Sequence, residues 1–262
     1  MPIFIIFQTE MKKDNYKLHK AAAILLLLAI WQAAALCLNQ NILLASPLAV
    51  AKRLFTIWQE PGFISSIVFS FIRIAGGFLA ALLLGSILAV AAGKAKGIEI
   101  LLQPIMVTIK SVPVASFIII ALVWLSSSNL SAFISFLMVL PVIYNNVLGG
   151  IRGIDPKLKE MAEVFRIPWN RRFLYIWLPS IRPYLMTALS TALGMSWKAG
   201  IAAEVIGIPN GSIGEMLYEA KAYLNTVDLF AWTVIIVLIS VLFEKLCLFV
   251  LGRILKREKE RF

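Results

Sequence analysis

The sequence predicts an all-α protein that crosses a membrane about six times. Of its 262 residues, 60% are hydrophobic and only 15% are charged, and the mean hydropathy is +0.87. A soluble domain of this length carries about a quarter charged residues. Most of this chain must therefore contact lipid or other buried helices, and we interpret it as a polytopic membrane helical bundle.

Each of six apolar runs is long enough to cross a bilayer, which takes about 20 residues of helix. They lie at Lys20–Leu38, Ile64–Ala92, Pro104–Leu125, Leu130–Ile151, Pro183–Ile206 and Leu229–Leu251. The fifth run is the least apolar because it contains Lys198 and Glu204. These runs predict an N-terminal tail at 1–19, a transmembrane domain at 20–252 that includes a polar loop at 155–182, and a basic tail at 253–262.

Lysine and arginine residues are concentrated in alternate loops. The two tails, the second loop and the loop around 155–182 are basic, whereas the opposite loops contain only Lys52, Arg53 and Lys221. The positive-inside rule then predicts that both termini and the 155–182 loop are cytoplasmic. The net charge of +11 follows from this topology and from contact with anionic lipid, so it does not indicate nucleic-acid binding.

The first apolar run has an alternative interpretation as a cleaved signal peptide, because basic residues precede it. Leu36 is too large for the position before a lipoprotein cleavage site at Cys37, and further spans follow, so we favour an uncleaved span. Residues 1–10 fit no pattern, and a start at Met11 is an alternative. Cys37 and Cys247 both lie inside apolar runs and indicate neither a disulfide nor a zinc site.

Small residues recur at every fourth position in two of the predicted spans. The second span has Gly77, Ala81, Gly85, Ala89 and Gly93, and the fifth has Ala188, Ala192, Ser196 and Gly200. Such stripes let two helices approach backbone to backbone, which drives helix association in lipid. We therefore predict that the second and fifth spans form the central packing of the bundle.

Ionisable residues inside membrane spans are energetically costly and are usually functional or paired. Lys110 and Glu244 lie near enough to helix ends to reach the interface. Arg73, Lys198 and Glu204 are harder to explain in this way. Our candidates for a translocation path are the buried charges and nearby polar or aromatic residues, namely Arg73, Lys110, Trp124, Asn145, Trp197, Lys198 and Glu204.

The polar loop itself predicts two short helices. Asp155 is placed as an N-cap and Pro156 at the first helical position. Pro168 separates two stretches in which apolar residues recur at helical spacing. The first stretch contains Leu158, Met161, Ala162 and Phe165, and the second contains Trp169, Phe173, Ile176 and Trp177. A cytoplasmic loop that folds usually contacts a partner.

The loop before the last span predicts a short amphipathic helix on the outer surface. Ser212 and Glu215 form a capping box at its start. Apolar residues follow at helical spacing, at Ile213, Met216, Leu217, Ala220 and Leu224. This helix would shield the bundle or help to dock an external partner.

The sequence lacks the residues of an enzyme site. His19 is the only histidine, which excludes a histidine-based triad and a histidine-rich metal site. The Gly93-Lys94 pair has neither the upstream glycine nor the downstream hydroxyl of a P-loop. We therefore predict no catalytic residues, and any uphill transport takes its energy from another subunit or from an ion gradient.

The polar loop also carries a family resemblance. Glu160-Met161-Ala162, followed by Leu178-Pro179, resembles the E-A-A loop of membrane subunits of bacterial ATP-binding cassette importers. The matching surroundings are Lys110 to Val114, Leu122-Val123-Trp124, Asn145 through Pro156, Ser196-Trp197-Lys198, Ala203 to Gly207 and Phe230-Ala231-Trp232. From about Ser46 to Leu251, the chain resembles permeases of the nitrate/sulfonate/taurine group.

The resemblance implies that the first helix of this loop docks in a groove of an ATPase subunit and transmits its closure to the membrane helices. The residues to which it assigns this coupling are Asp155, Lys159, Glu160, Met161, Ala162, Phe165 and Arg166. Glu160 would pair with a basic residue of the groove, and Met161, Ala162 and Phe165 would provide small and apolar contacts.

The resemblance also implies the rest of the assembly. The fold would be that of a type I importer permease, with a second permease copy, two ATPase subunits that hold ATP and Mg, and an external substrate-binding protein. The chain itself would bind no metal or cofactor. It would lie in the bacterial inner membrane and import a small, anionic solute by ATPase-driven alternating access.

Alternatives remain for substrate and mechanism. Some members of this group take thiamine-precursor pyrimidines or other non-anionic solutes. A secondary transporter driven by an ion gradient would also bury charges, but it would not need a folded cytoplasmic hairpin. A non-transporting scaffold would leave the central charges and both small-residue stripes without a purpose.

The chain departs from the family pattern at Arg166. Glycine usually occupies this position, at the turn between the two helices. Because arginine tolerates a left-handed backbone poorly, we expect either a remodelled turn or a contact from Arg166 to the ATPase.

Overall fold

The computed structural model describes residues 2–38 and 43–257, and within these ranges its regular elements are helical. In chain order they are α1 (Pro2–Leu38), α2 (Pro47–Leu54), α3 (Phe63–Lys94), α4 (Lys96–Ser111), α5 (Val114–Ala121), α6 (Ser127–Arg152), α7 (Pro156–Val164), α8 (Trp169–Arg172), α9 (Leu178–Gly207), α10 (Ile213–Ala222) and α11 (Thr226–Arg257). A 3-10 turn lies at Ile57–Gln59 and a π-helical turn at Phe173–Trp177. Of the predicted tails, Met1 and residues 258–262 lie outside the described residues.

The described residues form two compact units. One contains α1, α2 and residues 219–233, and the other contains residues 62–218 together with the chain from residue 234 onward. The polar hairpin and the packed helices α3, α6 and α9 all belong to the second unit.

Helix α3 packs along α6 through its stripe of small residues. A Cβ added at Gly77 would lie 2.1 Å from the carbonyl oxygen of Ala132, and one added at Gly93 would lie 2.8 Å from the side chain of Ile151. The other members of the stripe are buried, at Ala81, Gly85 and Ala89. Because contacts advance in the same direction along both helices, α3 and α6 run parallel and in backbone contact.

Helix α9 packs against the same α6, in the opposite direction. A Cβ added at Gly200 would lie 2.6 Å from the hydroxyl of Ser135, and one added at Gly150 would lie 3.1 Å from the Cα of Ile181. The stripe predicted on α9 is buried, at Ala188, Ala192, Ser196 and Gly200. We predicted that the second and fifth spans form the central packing, and this prediction is corrected in one respect: both stripes lie mainly against α6. Gly200 also approaches α3, since a Cβ added there would lie 2.6 Å from the side chain of Ile74.

Helix length and apolarity support four or five of the predicted crossings. By length and apolarity alone, the spans that qualify are Leu18–Leu38, Phe63–Lys94, Ser127–Arg152 and Thr226–Val250, with α4 and α5 as a bent fifth. The bent pair would count as one crossing, consistent with the parallel course of α3 and α6. Helix α9 is less apolar and does not qualify by these criteria, although it packs along most of the length of α6.

The third predicted span, Pro104–Leu125, is broken rather than straight. Helix α4 ends at Ser111, α5 begins at Val114, and their axes differ by 102°. Val112 has the extended backbone that a following proline favours, and Pro113 has no N–H group to continue the helical ladder. The sequence showed the run of apolar residues but not the direction change that Pro113 imposes.

In the first unit, ionic contacts fix α2 to the start of α11. The Arg53 guanidinium forms ion pairs with Asp228 and Glu60. Its hydrogen bond to Asp228 raises the pKa of Arg53 above the ordinary value, so the guanidinium stays charged at physiological pH. Leu224, which we predicted on the stripe of α10, instead lies beyond that helix with a φ of 55° and is exposed.

Candidate coupling hairpin and path residues

The first helix of the hairpin begins as the sequence predicts. The Asp155 carboxylate accepts a hydrogen bond of 2.9 Å from the backbone N–H of Lys157, and Pro156 occupies the first helical position. Asp155 therefore satisfies one of the amides that a helix start leaves without an internal partner. As a result, α7 starts at a fixed residue directly after the end of α6.

The turn after α7 keeps a left-handed residue although that residue is arginine. Arg166 has a φ of 48°. Its N–H donates to the carbonyl of Glu163, and the N–H of Ile167 donates to the carbonyl of Ala162, each at 3.0 Å. This pair of bonds is the Schellman motif, which normally uses glycine at the left-handed position. Of our two expectations for Arg166, remodelling of the turn is thus wrong.

Arg172 holds the two helices of the hairpin together, and sequence reasoning missed it. Its Nε donates to the carbonyl oxygen of Ile167 at 2.7 Å, and a terminal nitrogen donates to that of Ala162 at 2.8 Å. The fork of donors on arginine suits two acceptors at once, and its positive charge complements the carbonyl end of α7. Nothing in the local spacing distinguishes Arg172 from Arg171 beside it.

The hairpin has its own small hydrophobic core. Ala162, only 1% exposed, packs with Ile154 and Ile176, and Ile167 and Trp177 cover this cluster. The resemblance assigned Ala162 to contact with an ATPase, but the structure buries it inside the hairpin, so this assignment is corrected. A small residue is needed there because α7 lies close against the segment that leads into α9.

The outer surface of α7 carries large apolar side chains. Val164 is 76% exposed and Phe165 is 75% exposed. Glu160 and Met161 are exposed beside them. Val164 was absent from the predicted set, although it lies one helical turn after Glu160 and so shares its face.

The hairpin is also tied to the membrane helices. The Lys94 ammonium at the end of α3 lies 4.9 Å from the ring centroid of Trp169. A Cβ added at Gly153 would lie 2.9 Å from the hydroxyl of Tyr184 on α9. Arg152, which ends α6, forms an ion pair with Glu99 of α4. These contacts join the ends of α3, α4, α6 and α9 next to the hairpin.

Two of the predicted path residues are buried and cannot line a path in this arrangement. Trp197 is 1% exposed and packs against Phe71 and Phe243, with ring centroids 6.1 Å and 6.3 Å away. Glu204 is 0% exposed, and its carboxylate accepts a hydrogen bond of 2.6 Å from the hydroxyl of Ser70. Both assignments are corrected, since these side chains hold helices together.

Lys198 is exposed, unlike its neighbours on α9. Thr187 and Thr191 are exposed on the same face of the helix. We call these three residues the Lys198 strip. Their hydroxyl and ammonium groups form a polar, positively charged surface along a membrane helix.

The remaining path candidates differ in accessibility. Lys110, Trp124 and Asn145 are exposed, and the Asn145 side chain donates to a backbone carbonyl of its own helix. Arg73 is half-buried, with its guanidinium 4.0 Å from the ring centroid of Phe69. The predicted path residues therefore divide into buried residues, which pack helices together, and residues with exposed side chains. A path shared between two copies of the chain would require side chains that are exposed on each copy.

Comparison with known proteins agrees with this architecture. Residues 81–261, more than two thirds of the chain, match the family described as binding-protein-dependent transport system inner membrane component. The nitrate import permease NrtB of Synechocystis is 29% identical, covering 76% of this chain and 75% of its own. The taurine transport system permease TauC of Escherichia coli is 25% identical, covering 84% and 82%.

A further relative is a protein of Bacillus subtilis named as an aliphatic sulfonates transport permease, SsuC. It is 26% identical and covers 82% of this chain and 78% of its own length. The relatives are transport permeases and not enzymes, in keeping with a chain in which the hairpin, the packed helices and the apolar spans all lie on one polypeptide. The chain belongs to the family of binding-protein-dependent transport system inner membrane components, and it is a multi-pass membrane permease.

Proposed function

We propose that this chain is the permease subunit of a bacterial ATP-binding cassette importer and that it docks an ATPase subunit through the hairpin of α7 and α8. The observation that carries the proposal is the exposed apolar pair Val164 and Phe165 beside Glu160. The hairpin already buries its own core, so these side chains are not needed to fold it. Large apolar side chains on an otherwise polar surface are typical anchors of a protein interface.

A partner must supply the energy, because the sequence contains no P-loop. The ATPase subunits would hold ATP and Mg, and two of them would act on two copies of the permease. The distribution of lysine and arginine supports a cytoplasmic hairpin and cytoplasmic termini in the bacterial inner membrane. A substrate-binding protein on the outer side would deliver the solute.

Transport then follows from rigid attachment. When the ATPases close on ATP, the paired hairpins are drawn together. Because the Arg172 bonds hold the two helices of each hairpin together and the second of them continues without a break into α9, this helix tilts with the hairpin. The Gly153–Tyr184 contact joins α9 to the end of α6, so α6 moves with it. Tilting of two bundles about a central path opens that path alternately to either side.

We infer that the solute is a small anion. The relatives named above are permeases for nitrate, taurine and aliphatic sulfonates. In this chain the Lys198 strip presents one exposed positive charge, which suits an oxyanion. The hydroxyls of Thr187 and Thr191 donate to backbone carbonyls of α9 and make the strip polar rather than supplying donors to the solute. The runner-up, a transporter driven by an ion gradient, leaves the exposed apolar surface of α7 unexplained.

Copurification tests the coupling surface. Glu160→Lys reverses the charge beside Val164 and Phe165 and should abolish both ATPase association and solute uptake. Lys52→Glu, a charge reversal at an exposed site on α2, is the control and should retain both. Normal ATPase association of Glu160→Lys would refute the docking proposal.

Uptake into proteoliposomes tests the anion, with nitrate and methanesulfonate as probes. Losing one favourable charge contact of about 1.4 kcal/mol lowers binding about tenfold. Lys198→Gln should therefore reduce uptake of the transported anion by about that factor at low concentration, whereas Lys52→Gln at an exposed site on α2 should not. Equal uptake by both variants would contradict an anion path along the Lys198 strip.

A further inference from the structure

The first turn of α10 is bonded to two other helices. The N–H of Ile213 donates to the hydroxyl of Ser70 on α3 at 3.0 Å, and the N–H of Gly214 donates to the carboxylate of Glu204 on α9 at 3.3 Å. The Ser70 hydroxyl in turn donates to the same carboxylate oxygen at 2.6 Å. Amides that a helix start leaves unpaired are thus satisfied by groups from α3 and α9.

The remaining amides of this turn are capped locally. The N–H of Glu215 donates to the hydroxyl of Ser212 at 3.0 Å, and the N–H of Met216 donates to the carbonyl of Ser212 at 3.3 Å. The capping box therefore accounts for the folding of α10 but not for its attachment. Attachment depends on Ser70 and Glu204, which local capping does not require.

The contact between α10 and α9 is also sterically close. A Cβ added at Gly214 would lie 2.3 Å from the Cβ of Glu204 and 2.6 Å from the backbone nitrogen of Val205. Only glycine permits this approach. An acceptor oxygen at the positive end of a helix is electrostatically favourable, and complete burial of Glu204 excludes competing water.

Helix α9 connects this attachment to the hairpin. From Trp169 to Gly207 the chain is helical throughout, passing through α8, the π-helical turn and α9. At a rise of about 1.5 Å per residue, Leu178 and Glu204 are about 40 Å apart. A single helical segment thus has the hairpin at one end and the attached α10 at the other.

We propose that Ser70 and Glu204 form a latch that fixes α10 to the end of α9, so that force applied to α10 by a solute-loaded binding protein reaches the hairpin. Glu204 is a positioning residue in this scheme and does not contact the solute. The proposal rests on the proposed function, because it needs an external binding protein and an ATPase. It assigns to α10 a transmitting role rather than that of a passive cover.

The experiment uses the assembled transporter in lipid, with and without its binding protein, and has two readouts. The first is hydrogen exchange of the amides of Ile213 and Gly214. The second is the ratio of ATPase activity with loaded binding protein to activity without it. The variants are Glu204→Ala, Glu204→Gln, Ser70→Ala and the control Lys52→Ala at an exposed site on α2.

We expect Glu204→Ala and Ser70→Ala to speed exchange of these amides at least about tenfold, since each loses a bond of about 1.4 kcal/mol, and to bring the ATPase ratio close to one. Glu204→Gln keeps an acceptor oxygen and should restore much of the amide protection and of the ATPase ratio. Lys52→Ala should match the unsubstituted protein. Unchanged exchange in Glu204→Ala and Ser70→Ala would refute the latch, and faster exchange with an unchanged ATPase ratio would refute its role in transmission.

If Glu204→Ala fails to assemble, Ser70→Ala decides by the same criteria. Failure of the unsubstituted chain to bind an ATPase would refute the proposed function, and the exchange measurement would still test the latch.

Discussion

Replacing Arg172 with alanine should loosen the hairpin without unfolding the membrane helices. The two bonds from its guanidinium to the carbonyls of Ile167 and Ala162, at 2.7 and 2.8 Å, close the turn between α7 and α8. A hydrogen bond to a charged donor contributes about 1.5–3 kcal/mol when buried. Because this side chain is only partly buried, we take the lower end for each bond and subtract for solvent competition, which gives about 2–3 kcal/mol for the pair.

Hydrogen exchange measures this loss directly. An opening free energy lowered by 2–3 kcal/mol raises the exchange rates of hairpin amides about 30- to 150-fold. The amides to follow are those of Phe165, Arg166 and Ile167, which donate to carbonyls of α7. Membrane-helix amides should keep their protection.

Two further variants sharpen the test. Arg172→Lys keeps the charge but cannot reach both carbonyls in a fork, so it should lose about half of the stabilisation, or about 1–1.5 kcal/mol. Arg171→Ala removes an exposed neighbour of the same charge and should leave exchange unchanged. Equal exchange in Arg172→Ala and Arg171→Ala would refute the reasoning.

Two predictions concern backbone geometry. Gly77→Ala places a Cβ 2.1 Å from the carbonyl oxygen of Ala132 and should destabilise the α3–α6 pair by about 1–3 kcal/mol, lowering the thermal unfolding temperature in detergent. Gly76→Ala meets no atom within 4 Å and should not lower it, and equal destabilisation by both would contradict the close packing. Arg166→Gly should preserve the protection of the hairpin amides because glycine accepts the left-handed turn, whereas Arg166→Val should weaken the hairpin by about 1–2 kcal/mol. Identical hairpin exchange in these two variants would show that the φ of 48° is not needed.

Features that depend on neighbouring residues could be predicted from the sequence. The Asp155 cap, the proline after it and the start of α7 follow from short-range hydrogen bonding, and the structure has each of them. The small-residue stripe on α3 correctly identified a buried face. Its partner was wrong because a repeat shows which face of a helix is buried but not which helix covers it.

Features that depend on how a helix is rotated, or on groups that are distant in sequence, could not be predicted. Lys198 and Glu204 are close in sequence, yet six positions turn a helix about 240° from the starting face, so one is exposed and the other buried. A simple apolar stripe places Ala162 on the contact surface and leaves out Val164. In the structure Ala162 is buried and Val164 is exposed, because the hairpin core needs a small residue. The bonds of Arg172 and Glu204 join separate elements, and no local pattern marks such partners.

Docking of α7 on an ATPase subunit is the central claim, and site-specific photo-cross-linking tests it most directly. A photoreactive phenylalanine derivative would replace Phe165 in the coexpressed transporter, and Tyr223, which is 82% exposed at the end of α10, would be the control position. We predict a covalent adduct with the ATPase subunit from position 165 and none from position 223. Absence of that adduct from an assembled, transport-competent complex, or equal adduct from both positions, would contradict the account.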